Sequence, residues 1–405
     1  MKIKVGVIFG GESVEHEVSI ISAIQAMNKM DEEKYEVIPI YITKDREWYT
    51  GELLKDIESY SDLNLVKKYT KNVVLYCENG NYVLKQKKGL FNKVVNDIDI
   101  IFPITHGTNV EDGALQGYFQ TIGIPYVGPN VYAAAVGQDK VYMKRIFAGE
   151  NLPMTKFEWF YDADYKNNND EVINKVKKLK YPVIVKPATT GSSVGISTAS
   201  DDKELTKAIE EAMQYDSKII VEEMVQNLKE VNISVLGNYE HQKLSEIEEV
   251  ISAEKFLTFE EKYIGSGKVK GKNGIKNMPA KSSKGMVSAS RKVPAELSKE
   301  LRKEVESVAT KAFRALGSSG VCRIDFLIDD KAKKVYINEI NSIPGSLSFY
   351  LWEPIGKKYT ELLDDMINIG VKDYKKRTSK THSFESNILK GFANNSLKGG
   401  KGKLR

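Results

Sequence analysis

Four polar residues stand in pairs two apart late in the chain: Arg323 with Asp325, and Glu339 with Asn341. Strand residues two apart share a face. The apolar segments 321–328 and 335–340 flank Asp329, Asp330 and Lys331, a polar turn that predicts a hairpin and gathers all four side chains. Carboxylate and amide oxygens suit a hard cation that completes its shell with nucleotide phosphates. Arg323 adds a fixed positive charge for a developing oxyanion. A surface strand with a salt bridge is the plain alternative. Pro344-Gly345, just beyond, adds a tight turn whose backbone N–H groups face the same strand end.

A second candidate is Lys186, at the end of an apolar strand and followed by Thr189-Thr190-Gly191-Ser192-Ser193-Val194-Gly195. Small residues let backbone N–H groups approach phosphate oxygens, with the lysine as a point charge. The loop is neither a Walker A sequence nor a dinucleotide fingerprint. It also matches GxSxG through Gly191, Ser193 and Gly195. A nucleophile elbow needs a helix at once, whereas 196–199 reads as extended and helix begins near Asp202, so a hydrolase is disfavoured. A third candidate, Gly10-Gly11-Glu12-Ser13-Val14-Glu15-His16-Glu17, follows the first strand and sets acids at the carboxyl end of a sheet, where ligands bind. Carboxylates complementing a helix dipole explain it equally well. The segment from His106 to Gly113 follows another strand end and has the same two readings.

The elements needed to position these groups follow from periodicity. Strands over 4–9, 35–42 and 98–103 with a helix over 18–29, and a hairpin at 79–81, predict an α/β domain with a mostly parallel sheet. A helical stretch near 128–142 leads to strand 181–186, a capped helix starting at Asp201 with Leu205, Ala208, Ile209, Ala212 and Met213 on its apolar face, and strand 218–222. A boundary falls at 224–229. Strand 231–236 and helix 297–316 then frame residues 262–292, a lysine, glycine and serine stretch of the kind that forms a lid or binding loop.

The chain has 405 residues, 41% hydrophobic and 28% charged, which fits two or three ordinary soluble domains. No apolar run approaches the roughly 18 residues of a membrane span. Cys77 and Cys322, the only cysteines, exclude a disulfide framework and a thiolate zinc site. The opening MKIKVGVIFGGES lacks a signal-peptide cleavage site, so the expected compartment is the cytoplasm. The net charge of +5 is concentrated: nine basic residues and no acid over 262–295, ten against two over 372–405. Neither stretch interleaves aromatics or carries a groove-reading signature, so nucleic acid is not an expected partner. The tail reads as a solvated extension.

Taken together, Gly10 to Ser19, His106 to Gly117, Lys186-Pro187 with Gly191 to Gly195, Glu261-Lys262-Tyr263, Arg323-Ile324-Asp325, and Asn338-Glu339-Ile340-Asn341 with Pro344-Gly345 resemble the D-alanine:D-alanine ligases. The likeness is collinear over about residues 2–370. It implies an α/β, α+β overall, three-domain ATP-grasp fold: an N-terminal parallel-sheet domain (1–128), a central subdomain (129–225) and a C-terminal domain (226–370) with a lid loop (256–293), then a basic tail (371–405). It also implies ATP with magnesium or manganese, two ions, clamped between the latter two domains, D-alanine as substrate, a homodimer, and a role in peptidoglycan synthesis.

By the same resemblance, Glu15 holds the ammonium of the first D-alanine and joins Ser192 and Tyr263 in a trio that keeps the lid shut. Lys144, Lys186 and Lys262 contact the phosphates beside Ser192, Ser193 and Asn338. Glu222, Glu223 and Val225 line the adenine end, and Glu230 meets the ribose. Asp325, Glu339 and Asn341 bind the metal, while Arg323 and the Gly345 backbone stabilise the tetrahedral oxyanion. His106 sits near the second substrate. Two departures stand out. Thr108-Asn109-Val110 replaces a glycine-rich stretch, and Ser346-Leu347-Ser348-Phe349-Tyr350 puts Tyr350 where the family has a carboxylate-binding serine. Ser346, Ser348 and Tyr350 are therefore the second-substrate candidates, with D-serine, and less so D-lactate, as rival acceptors.

Overall fold

The apolar run IKVGVIFG suits a strand covered on both faces, and it forms β1 (Ile3–Gly10), whose last six residues are buried. In the computed structural model, which describes residues 2–87, 93–251, 290–384 and 386, β1 pairs in parallel with β2 (Tyr35–Ile42) and β7 (Ile100–Pro103). The carboxyl ends of β1 and β7 therefore lie side by side, and the loops carrying Glu15 and His106 both leave from that edge. A Cβ at Gly10, where φ is +86°, would run into the Ile42 carbonyl oxygen, so only glycine makes this exit.

Four more strands extend the sheet: β3 (Trp48–Thr50), β4 (Lys71–Glu78), β5 (Asn81–Gln86) and β6 (Val94–Asp97), in the order β6-β5-β4-β3-β2-β1-β7. They pair antiparallel. The expected parallel arrangement thus holds for β1, β2 and β7 alone, because tight turns such as Asn79-Gly80 return the chain antiparallel. The helix His16–Met27 buries nine residues, in a core shared with this sheet and with residues between Ile343 and Ile367.

The second sheet contains β8 (Phe157–Tyr161), β9 (Val183–Pro187), β10 (Ser197–Ala199) and β11 (Lys218–Glu223), ordered β10-β9-β11-β8 and antiparallel throughout. Asp201 caps the helix Asp202–Ala212 by accepting from the Lys203 and Glu204 amides, and Leu205, Ala208, Ile209 and Ala212 are its buried face. The Glu204 carboxylate takes the Ser200 amide rather than that of Asp201, so the capping box is half formed. Strand β10 separates the Gly191–Gly195 loop from the helix, which excludes the nucleophile elbow.

The third sheet, in the order β14-β13-β12-β15-β16, comprises β12 (Leu228–Gly237), β13 (Gln242–Ile251), β14 (Ser290–Lys292), β15 (Gly320–Asp329) and β16 (Lys334–Asn341). The helix Lys299–Ala315 covers one face with Leu301, Val305, Val308, Ala309, Ala312 and Phe313, a 3.6-residue stripe. The other face carries polar side chains. On β15, Ile324, Phe326 and Ile328 point into the core while Arg323, Asp325 and Leu327 alternate outward. A bulge interrupts β16: Asp325 pairs with Glu339 but Phe326 with Ile337. The extra residue resets the alternation, so Val335, Ile337 and Ile340 are buried while Asn338, Glu339 and Asn341 are available to the polar face.

These elements belong to one unit, Met1–Val371; Lys372–Arg405 forms a second, and most of it lies outside the described residues. So do Glu261, Lys262, Tyr263 and nearly all of the expected lid.

Candidate active site

A single cleft is lined by the polar face of the third sheet, the edge of the second, and the two loops leaving β1 and β7. Its floor is the predicted hairpin. Register pairs Arg323 with Asn341 and Asp325 with Glu339. Arg323 donates twice to Asp325, from Nε at 2.7 Å and Nη2 at 2.8 Å, and Asn341 Nδ2 donates to Asp325 Oδ2 at 3.1 Å. Glu339 faces Lys140, whose Nζ is 3.6 Å away and also donates to the Thr190 carbonyl. All four predicted hairpin residues therefore meet. Burial works against the Arg323 charge, but Asp325 outweighs it and keeps the guanidinium protonated.

Behind the floor lies a buried cluster of charges. Glu222, 1% exposed, receives Lys144 at 2.9 Å and Lys186 at 3.1 Å, with Thr155 donating to the same oxygen as Lys144 at 2.7 Å. Burial alone would push the Glu222 carboxyl up; the two ammonium groups overcome this and hold it well below the usual carboxylate range. Burial lowers the Lys144 amine. Lys186 also approaches Asn338 Oδ1 at 3.3 Å, linking the second sheet to the hairpin.

At the mouth, Ser192 Oγ donates to Glu15 Oε1, joining the β9–β10 loop to the loop after β1. The approach is close enough that a Cβ at Gly191 would stand 2.6 Å from Glu15 Oε2. Ser192 and Ser193 both adopt positive φ, 54° and 61°. Deeper in, His106 is buried with its Nδ1 against the Ile343 carbonyl oxygen and Nε2 against Ser22 Oγ. Burial lowers its pKa, so the ring is neutral near pH 7. Glu111 accepts from the Gly107 amide, Ser342 Oγ and the Ile343 amide, tying the His106 loop to the segment before Pro344. Burial, helped by the nearby Glu15, raises its carboxyl to about 7.

Glu15, His106, Lys186, Ser192, Ser193, Glu222, Glu223, Val225, Glu230, Arg323, Asp325, Asn338, Glu339, Asn341, Gly345 and Tyr350 all line the cleft, and Lys144 sits behind Glu222. Ser346 and Ser348 do not. With Leu347 they form three successive left-handed residues, φ 50°, 51° and 49°, whose side chains are wholly buried. The turn returns the chain so that Tyr350 alone of the three second-substrate candidates reaches the cleft. The composition of the cleft also includes residues that motif reading passes over: Lys140, Asn232, Glu248 and Arg291. Glu248 and Asn232 are directly paired on β13 and β12, and Asn232 is paired in turn with Asp325. The alternation of β13 was the available signal, obscured by three glutamates in four residues from Glu246 to Glu249.

Two buried lysines around Glu222, a carboxylate-amide hairpin and the Glu15 carboxylate at the mouth thus meet at one cleft, on an α/β scaffold of the kind found in the ATP-grasp ligases. The structure aligns with the D-alanine-D-alanine ligase from Coxiella burnetii at TM-score 0.76 and 25% identity, covering 98% of this chain and 99% of that one. It aligns with VanG D-Ala:D-Ser ligase from Enterococcus faecalis at 0.73 and 28%, covering 91% and 100%. The family described as D-ala D-ala ligase N-terminus matches residues 4–129, and D-ala D-ala ligase C-terminus matches 146–368. A curated D-alanine--D-alanine ligase of Thermosipho melanesiensis is 38% identical over 96% of this chain and 98% of its own length; that of Clostridium acetobutylicum is 38% identical over 91% and 98%. The chain belongs to the D-alanine–D-alanine ligase family, whose members are ATP-dependent and ADP-forming. Among the described residues no helix is long and apolar enough to cross a membrane.

Proposed function

We propose that this enzyme joins two D-alanine molecules into D-alanyl-D-alanine for peptidoglycan synthesis, and that the cleft residues carry the roles set out here. The observation that carries the reading is the Arg323–Asp325–Asn341 hairpin, linked through Asn338 and Lys186 to the basic recess and faced by the Glu15–Ser192 contact across one cleft. A carboxylate is a poor acyl donor until it gains a leaving group. Phosphoryl transfer to the first D-alanine supplies one, the amine of the second attacks the acyl phosphate, and the tetrahedral intermediate expels phosphate.

Glu15 holds the ammonium of the first D-alanine, and Ser192 fixes the orientation of its carboxylate. Lys186 steadies the phosphates, with Ser193 and Asn338 beside it; Glu222 and Lys144 set the position of that lysine. Glu223, Val225 and Glu230 border the nucleoside end. Arg323 and the Gly345 backbone receive the oxyanion charge. Lys262 and Tyr263, to which the family likeness gives roles at the phosphates and with Glu15 and Ser192, lie outside the described residues. His106, neutral and held at both nitrogens, shapes the wall near the second substrate.

The donor set of Asp325, Glu339 and Asn341 fits a hard cation that shares its shell with phosphates: it offers two carboxylates and an amide, and the described residues gather no cluster of three or more His, Cys, Asp or Glu that would form an all-protein cage. These residues would hold magnesium or manganese, two ions, whose bound charge neutralises the phosphates during transfer. Three domains over 1–128, 129–225 and 226–370, a basic tail over 371–405, a cytoplasmic location and a homodimer complete the proposal. Light scattering of the purified protein tests the last of these.

The decisive assay supplies magnesium, ATP and D-alanine and identifies the product by mass. D-alanyl-D-alanine with stoichiometric ADP supports the reading; ATP turnover without dipeptide refutes it. A second reading, D-serine as acceptor, is favoured by Tyr350 in place of a serine, and a competition between D-alanine and D-serine separates the two by product mass.

A further inference from the structure

One end of the cleft holds a carboxylate for which the roles above have no use. Glu248 is 1% exposed and lines the cleft. Its Oε1 accepts from Asn232 Nδ2 at 3.0 Å and from the Tyr350 hydroxyl at 3.1 Å. Its Oε2 is buried and has no hydrogen-bond partner among the described residues; the closest cation among them is Arg291, with Nη1 at 3.8 Å. The Arg291 guanidinium lies 4.4 Å from the centroid of the Tyr350 ring, so Tyr350 joins the two charges by hydrogen bond on one side and by its π face on the other. A buried carboxylate oxygen aimed at a ligand cleft without a donor is an uncommon expense, and a bound donor satisfies it.

Resting on the ligase reading above, we propose that Glu248, Tyr350 and Arg291 form the acceptor subsite and that it takes a zwitterionic amino acid, its ammonium on Glu248 and its carboxylate on Arg291. The arrangement follows from charge. The acceptor binds as an ammonium and attacks as an amine close to Arg323, giving one proton to Glu248 Oε2 as the C–N bond forms and phosphate leaves, and Glu248 lies two strand pairings from Asp325 on the row Glu248, Asn232, Asp325. An ammonium brings three N–H donors to an anionic oxygen that has no hydrogen-bond donor among the described residues, and a positive charge nearer than the Arg291 guanidinium at 3.8 Å. A 2-hydroxy acid brings one O–H and no charge, so the same group selects amine over hydroxyl acceptors. The planar guanidinium, steadied on the tyrosine ring, offers paired donors to the acceptor carboxylate in place of a serine hydroxyl. Asn232 and Tyr350 fix the direction in which Oε2 points.

The test uses the full-length enzyme and two nucleophiles for the same acyl phosphate. D-Alanine as acceptor reads the proposed subsite; hydroxylamine, small and without a carboxylate, yields D-alanyl hydroxamate and reads ATP and first-substrate binding. Glu248→Gln keeps the shape and the Oε1 contacts but removes the charge. The expected result is a fall of about 10- to 100-fold in dipeptide formed relative to hydroxamate, and a similar loss of preference for D-alanine over D-lactate in competition. Arg291→Lys, which retains charge without the planar fork, lowers the dipeptide-to-hydroxamate ratio while leaving the choice between amine and hydroxyl unmoved. Equal losses of dipeptide and hydroxamate in Glu248→Gln, or an unchanged acceptor preference, overturn the proposal. A wild-type enzyme that gives hydroxamate but no dipeptide instead overturns the ligase reading on which it rests.

Discussion

Replacing Glu222 by Gln tests whether the buried cluster behind the cleft is held by charge. The carboxylate receives Lys144 at 2.9 Å and Lys186 at 3.1 Å, and both lysines are nearly inaccessible. At an effective dielectric of about 20, each contact is worth roughly 5 to 6 kcal/mol of Coulomb attraction. Desolvating the carboxylate costs several kcal/mol in return, and loss of one partner from a buried ionic group lowers stability by about 3–5 kcal/mol. Glu222→Gln leaves two ammonium groups facing an amide, so the expected loss near pH 7 is in that range. The sign of its pH dependence is distinctive. Glu222 has its pKa held low in the fold, so its stabilisation is complete above the ordinary carboxylate range and is lost as pH falls toward the depressed value. The variant lacks this contribution, and it recovers part of its stability as pH rises, because the buried Lys144 amine, already lowered, releases its proton most readily. Urea unfolding of both proteins from pH 6 to 9 measures this. A loss below about 1 kcal/mol at pH 7, or a deficit that widens with rising pH, refutes the electrostatic account.

Asp325→Ala removes the acceptor of both Arg323 and Asn341, and the expected fall in kcat/KM is on the order of 100-fold or more, partly relieved by high magnesium; undiminished dipeptide formation refutes the metal-site proposal. Glu15→Gln is expected to raise the KM for D-alanine in the hydroxamate reaction by about 10-fold with little effect on the KM for ATP, and an unchanged D-alanine KM removes Glu15 from that role. Glu111 has a folded pKa raised to about 7 from 4.5, so its stabilisation is complete below the unfolded value and is lost as pH climbs through 7. The full difference amounts to about 3 kcal/mol. Melting curves from pH 5 to 8 are expected to decline in the wild type relative to Glu111→Gln, and parallel curves contradict the shift.

What the sequence exposes, and what it hides, divides along local and non-local lines. The hairpin was legible because the turn at Asp329 to Lys331 is local, and because period two puts Arg323 with Asp325 and Glu339 with Asn341 on one face whatever lies around them. The bulge that buries Ile337 and Ile340 together was not legible, yet it falls before Glu339 and leaves that pair in phase. The strand over 35–42 and the helix starting at Asp201 likewise declare themselves through burial pattern and cap. Strand β3 has only three residues, and β8 is placed by β11, far along the chain, so neither carries a strong signal of its own. The same distinction governs the site. Glu15 and Ser192 stand 177 residues apart, and only a family likeness brought them together before the fold did. Lys186 was recognisable as a charge at a strand end, but its bond to Glu222 requires β9 and β11 to be neighbours. Ser346 and Ser348 were reasonable candidates by residue type; the left-handed run that buries them is a conformation that type alone does not predict. Its consequence, Tyr350 beneath Arg291 and against Glu248, brings together three segments with no motif among them. The residues that line the cleft from short motifs are therefore legible in sequence, whereas the contacts among Glu248, Tyr350 and Arg291 exist only once the chain has folded.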